Sequence, residues 1–343
     1  MALAMTAFAE PRISWLTLRH NFGAFDEDDG IVTCNFKFVN TGDEALTVLS
    51  ARASCGCTQP SYPSEAVAPG DTAEIVVAYN PTGRPGRFTK TIYIDTNTEP
   101  KRSKLTITGV VIGAQSSVAG RYPVDMGALK FKNGSIMFGQ VAKPHMKTVF
   151  AEAYNRSTDS VRLRVEAKPS YIDINFEPKT VGPGEQLSVI CYLRSNGKDM
   201  WGLIEDSVRF TTGKEEFVLP LTAIINEDFS KMSASDREKA PVARLSTESA
   251  DFGKVDRNGG EVSRTVELTN NGKNTLEIRR IYTVDPGVSV EVDKRSVKKG
   301  KSAEITITVD PKALPGALLN SRISVITNDP DHPVQTLRAV GEL

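Results

Sequence analysis

Apolar and polar residues alternate along three well-separated stretches of the chain. Ala73, Ile75, Val77 and Tyr79 share one parity, as do Leu187, Val189, Cys191 and Leu193, and Ala303, Ile305, Ile307 and Val309. A period of two puts successive side chains on opposite faces, so each stretch predicts a half-buried β-strand rather than a helix. Glycine turns precede them at Gly70, Gly184 and Gly300. Further strand patterns follow in FTKTIYIDTN, DSVRFTTG and SRISVITN, then in KLTITGVV, FVLPLTAII and QTLRAVGEL. No apolar run reaches the roughly 18 residues of a transmembrane helix.

The stretches belong to a repeat. Asn40, Asn155 and Asn270 recur at intervals of 115, and an apolar residue follows six positions after each, at Leu46, Val161 and Leu276. Upstream, Phe22-Gly23, Phe138-Gly139 and Phe252-Gly253 recur at nearly the same interval. A unit of about 100 to 115 residues with some seven short strands and Asn, Gly and Pro turns predicts an immunoglobulin-like sandwich. The fold class is therefore all-β: three tandem immunoglobulin-like β-sandwich domains at 10–113, 121–226 and 241–343, forming an elongated rod. The first junction, GAQSSVAGR (113–121), is small and polar. The second, 226–240, is charged, with room for one helical turn. Both are too short to let the units drift apart, which predicts a jointed rod.

Charge and the chain start bear on location and partners. Lysine plus arginine number 42 and aspartate plus glutamate 42, so the formal charge is zero and nothing electrostatic asks for nucleic acid. Ala7-Phe8-Ala9 has the A-x-A form that precedes signal-peptide cleavage, so residues 1–9 are expected to be a signal-peptide remnant. That predicts export to the periplasm or cell surface.

Candidate chemistry is sparse. The three histidines, His20, His145 and His332, fall in three different units, and no nucleophile elbow, zinc-protease or dinucleotide motif occurs. Gly300-Lys301-Ser302 lacks the first glycine of a phosphate loop, since Arg295 stands there, and aligns with the hairpin turns of the other units. No enzyme and no cofactor are expected. Trp15 and Trp201 lie in different units and make no aromatic platform for carbohydrate.

The four cysteines divide into two kinds. Cys191 alternates with Val189 and Leu193, and Cys34 shares parity with Phe36 and Phe38, so both are expected in cores. Cys55 and Cys57 flank Gly56 in SCGCT, and the matching loops of the other units carry no cysteine. Three readings stand open: a disulfide whose bend Gly56 permits, a soft-metal site, or a shaped loop with reduced thiols. Loops at a sandwich end often carry binding residues, which makes Ser54, Gly56 and Thr58 binding candidates beside Cys55 and Cys57. Read as a surface device, the loop predicts that replacing both cysteines with serine costs no more than about 1 kcal/mol.

NTGDEALTVLSARASCGCT followed by PGDTAEIVVAYNPTGRPGRFTKTIYIDTN resembles a bacterial domain-of-unknown-function family, common in the Bacteroidota, whose hallmark is a C-G-C-T loop. TNNGKNTLEI and VITNDPDHPVQTLRAVGEL resemble the related Hydin-type immunoglobulin-like modules, with the turn at Asn328–Pro333. The middle unit keeps the strand pattern without the cysteine loop or that turn. The resemblance implies the sandwich fold and says nearly nothing of activity. The resulting expectation is an exported, non-catalytic scaffold or spacer that engages another envelope protein. The alternative is a redox or soft-metal protein using Cys55-Gly56-Cys57.

Overall fold

The structure, a computed structural model, describes residues 9–197 and 199–343. Of the candidate signal remnant only Ala9 lies among the described residues. The first unit contains β1 (Ile13–Trp15), β2 (Arg19–Asp26), β3 (Val32–Asn40), β4 (Val48–Ala53), β5 (Thr58–Ser61), β6 (Thr72–Tyr79), β7 (Gly86–Thr96) and β8 (Arg102–Ile112). They form two sheets, ordered β1-β3-β6-β5 and β2-β8-β7-β4. A short helix α1 (Gln115–Arg121) leads to the second unit.

That unit contains β9 (Val124–Met126), β10 (Leu129–Phe131), β11 (Ile136–Lys143), β12 (Met146–Asn155), β13 (Arg164–Ala167), β14 (Ile172–Glu177), β15 (Gln186–Arg194), β16 (Gly202–Thr211) and β17 (Glu216–Glu227). Its sheets run β14-β15-β12-β10-β9 and β11-β17-β16-β13. Helix α2 (Ala234–Glu238) precedes the third unit: β18 (Ala243–Leu245), β19 (Ser249–Lys254), β20 (Val262–Asn270), β21 (Leu276–Thr283), β22 (Val288–Val292), β23 (Ser296–Val297), β24 (Ser302–Val309), β25 (Leu318–Thr327) and β26 (Val334–Glu342). Its sheets run β18-β20-β24-β22 and β19-β26-β25-β21-β23. The architecture is tandem immunoglobulin-like sandwiches.

Alternation builds each core. Phe36, Phe38, Ile75, Val77, Ile92 and Ile94 are fully buried between the sheets of the first unit. Val189, Cys191, Leu193 and Phe210 do the same in the second, and Leu268, Ile305, Ile307 and Ile323 in the third. The recurring Phe-Gly pairs mark bulges where β2, β11 and β19 run parallel to the last strand of their unit, β8, β17 and β26. Gly23, Gly139 and Gly253 take φ of +72°, +62° and +61° there, a left-handed geometry that excludes most side chains.

The recurring asparagines lock the sandwiches. Asn40, Asn155 and Asn270 are fully buried. Asn40 Nδ2 donates to the carbonyls of Glu44 and Val67, and its Oδ1 accepts from the Gly42 amide. Asn155 and Asn270 repeat this with Asp159, Val181 and Ser157, and with Asn274, Val297 and Gly272. Two donors and one acceptor in one short side chain are what asparagine alone offers at this place.

The junctions are held by packing and hydrogen bonds as well as by their shortness. From Gln115 to Arg121 the first junction is helical, and buried Val118 packs with Ile112, Tyr122 and Tyr154. Glu27 and Asp28 of the first unit accept hydrogen bonds from the Ala114 and Gln115 amides, and Arg156 of the second reaches Asp26 at 2.6 Å. The Tyr154 hydroxyl accepts the Gly113 amide at 2.9 Å. One buried apolar residue and these crossing bonds together anchor a polar-looking stretch. At the second junction Arg279 pairs bidentately with Glu227, and Arg280 donates to the carbonyls of Trp201 and Leu203. A register shift between Ile278 and Arg280 accompanies the use of both consecutive arginines. The accessible surface is 18955 Å², well above the roughly 13,700 Å² of a compact single body of this mass, as an extended array requires.

Candidate functional site

The SCGCT loop carries the chain from β4, an edge of one sheet, to β5, an edge of the other. Hydrogen bonds pin it at both ends. The Ser54 amide donates to the Thr91 carbonyl, the Thr58 amide to the Cys55 carbonyl, and the Asn80 amide to the Cys57 carbonyl. Cys55 and Cys57 form a disulfide with Cα atoms 5.4 Å apart. Their sulfurs are bonded to each other, so no thiolate pair is offered to a metal. Among the described residues no group of three or more His, Cys, Asp or Glu is arranged so that it could hold a metal ion.

Two details correct the picture of an exposed binding loop. Cys57 and Thr58 are buried, and Cys57 belongs to the core cluster with Phe36 and Val77, leaving Ser54 and Gly56 exposed and Cys55 partly so. Gly56 has no left-handed φ and open space around its Cα, so the bend does not draw on glycine's special freedom. The sequence pattern missed the burial because Cys57 precedes the strand and no alternation reaches it.

The same corner is closed differently in each unit. In the second, the Tyr171 carbonyl takes the place of the Cys57 carbonyl, accepting from Arg194, while the Tyr171 hydroxyl donates to Asp206 at 2.9 Å. Burial, reinforced by that bond, pushes the Tyr171 hydroxyl's pKa up. In the third, Asp285 stands where Cys55 does in the first, and its carboxylate accepts from the Ser321 hydroxyl and the Arg322 amide. A disulfide, a phenol–carboxylate bond and a carboxylate clamp thus occupy equivalent places. The arrangement clasps a corner.

The remaining cysteines sit in cores. Cys34 pairs with Val77, which pairs with Pro60, so Cys34 lies two strands from β5 and three residues along it from Cys57. At about 4.8 Å per strand and 3.3 Å per residue, the Cα atoms lie well beyond the 6.8 Å reach of a disulfide. Burial raises the Cys34 pKa to about 11 and that of Cys191 to about 12. The histidines have separate roles. His20 packs edge-on against Phe22, His145 bonds Asp228 at 3.1 Å, and the His332 amide donates to Asp329. Asp228 falls to about 2, through hydrogen bonds from Ser230 first and His145 after. Gly300 lies in a hairpin turn with its amide on Asn270.

Comparison with known proteins follows from these shared units. The family model described as "Protein of unknown function (DUF1573)" matches residues 13–111 and 243–342, more than half of the chain. The chain belongs to that family. Both matched spans are family copies, and the middle unit lies outside them. No curated protein matches. A protein of unknown function from Porphyromonas gingivalis W83 is similar at 20% identity and a TM-score of 0.49, over 63% of this chain and 100% of that one. A three-immunoglobulin structure of titin is similar at 13% identity and a TM-score of 0.28, over 98% and 99%. The protocadherin GammaB4 extracellular domain is similar at 13% and 0.32, over 98% and 52%.

Proposed function

We propose that this chain is an exported, non-catalytic cell-envelope protein that serves as a stiff spacer or protein-binding scaffold. The observation that carries the reading is the packing of both junctions. Arg156 on Asp26, Tyr154 on Gly113, Arg279 on Glu227 and Arg280 on Trp201 tie neighbouring units at several points each. Several bonds crossing a short linker hold a fixed angle, and a spacer needs a fixed length. Export is supported by Ala7-Phe8-Ala9 and by the Cys55–Cys57 bond, since disulfides persist in oxidising compartments. The turn at Asn328–Pro333, organised by buried Asp329, supports a kinship of the third unit with Hydin-type modules, and SCGCT fits a C-G-C-T family hallmark.

Fractionating cells that express the natural gene tests the location. The account expects protein in the periplasmic or surface fraction with a mature start after Ala9. Uncleaved protein in the cytosol would overturn it. A hydrolase screen on esters, glycosides and peptides is expected to come back empty.

A further inference from the structure

The corner that Cys55 and Cys57 close does not need a disulfide. The second unit closes it with Tyr171 on Asp206 and the third with Asp285 on Ser321, and both form complete sandwiches. A ring that spans only Gly56 also removes little freedom from the unfolded chain, because the entropic gain of a crosslink falls with the loop it closes. Backbone bonds already hold the loop on either side, from the Ser54 amide to Thr91 and from the Asn80 amide to Cys57. Breaking the sulfur–sulfur bond therefore leaves the corner in place.

The two cysteines differ in access. Cys57 is 8% exposed and packs in the core, whereas Cys55 is partly exposed and lies between exposed Ser54 and Gly56. An incoming thiolate thus reaches Cys55 Sγ and makes Cys57 the leaving group. Thr58 Oγ1 stands 3.6 Å from Cys55 Sγ and 3.8 Å from Cys57 Sγ, where its hydroxyl can donate to whichever sulfur is released. Gly56 has no left-handed φ, and a Cβ there would meet nothing within 4 Å. Neither backbone strain nor packing calls for glycine. What its missing side chain gives is a clear approach to the bond.

We propose that Cys55 and Cys57 are a thiol–disulfide exchange site that accepts the electrons of a reduced cysteine pair in another protein. A thiolate of the partner attacks Cys55 Sγ, the Cys55–Cys57 bond breaks, and its electron pair leaves on Cys57 Sγ, which takes a proton from water. The partner's second thiolate then attacks the partner sulfur of the mixed disulfide. Cys55 Sγ leaves with that electron pair and is protonated in turn. The partner's dithiol is oxidised by two electrons to a disulfide, and Cys55 and Cys57 are reduced by two electrons to thiols. Each chain reacts once, so the site adds to the spacer reading and does not rest on it.

The test exposes the full chain to two probes, dithiothreitol and a short peptide carrying two reduced cysteines. Iodoacetamide quenching and peptide mass mapping then read which thiols have appeared. Both probes are expected to open Cys55–Cys57 in the folded protein, with Cys34 and Cys191 unlabelled. Given the oxidised peptide, a Cys57→Ala variant is expected to hold a mixed disulfide on Cys55, and a folded Cys55→Ala variant to hold none. Gly56→Leu, at a position with room for a side chain, is expected to keep the wild-type melt. It should slow the peptide about tenfold while sparing dithiothreitol. A bond that opens only when the chain unfolds, or a mixed disulfide formed on Cys57 of the folded protein, would overturn the proposal. So would opening by dithiothreitol but not by the peptide, or a Gly56→Leu variant as fast as the wild type with the peptide. The spacer reading fails separately, on cytosolic protein or a flexible array.

Discussion

Asn40, Asn155 and Asn270 each end a strand and turn a carboxamide into the sandwich, where it satisfies two carbonyls and an amide. Removing a buried bridging amide strands all three partners, so Asn270→Ala is expected to lower stability by about 2–4 kcal/mol in denaturant titrations. The spacing of these residues was visible in the sequence. Their bonding was not, because it depends on carbonyls 27 positions away, such as Val67 for Asn40. Cys57 was misjudged for a related reason. Since it lies in the core, replacing Cys55 and Cys57 with serine buries a hydroxyl, and the expected loss is about 1–3 kcal/mol rather than the smaller value a surface clip implies. Cys34 and Cys191 are expected to resist iodoacetamide at pH 8 in the folded protein and to label on unfolding. Their raised pKa values make their contribution to stability complete below pH 9, the ordinary thiol value, and lost as pH climbs through about 11 and 12. Comparing alkaline melts with those of Cys34→Ala and Cys191→Ala variants checks the sign.

At the scale of elements, the strands were legible because period-two alternation and the glycine turns agree. The first strand of each unit was less so, being short and held by contacts from elsewhere. Gly42 and Gly272 show how: a Cβ at Gly42 would stand 2.2 Å from the Glu10 carbonyl, and one at Gly272 would stand 2.3 Å from that of Ala240. Gly42→Ala is therefore expected to push the entry segment away and loosen β1 from β3. Hydrogen exchange is the readout, with faster exchange of the Leu16 amide, which normally bonds the Lys37 carbonyl. Unchanged protection there would mean that β1 docks independently of this approach. The corner loops were only half legible, since a disulfide, a tyrosine and an aspartate share no sequence signal while doing one job.

For the whole molecule, the repeat foretold the number of units and the surface charge foretold little. The stiffness of the array was hidden in scattered residues: the acidic run around Asp26, two tyrosines, and arginines 279 and 280. Spin labels on Ala68→Cys and Lys298→Cys, equivalent exposed turns of the first and third units, measure it directly, because Cys34 and Cys191 are buried and Cys55 and Cys57 are bonded. The account predicts one narrow distance distribution, broadened when Arg279→Ala and Arg280→Ala are combined. A broad distribution in the unaltered chain would contradict it.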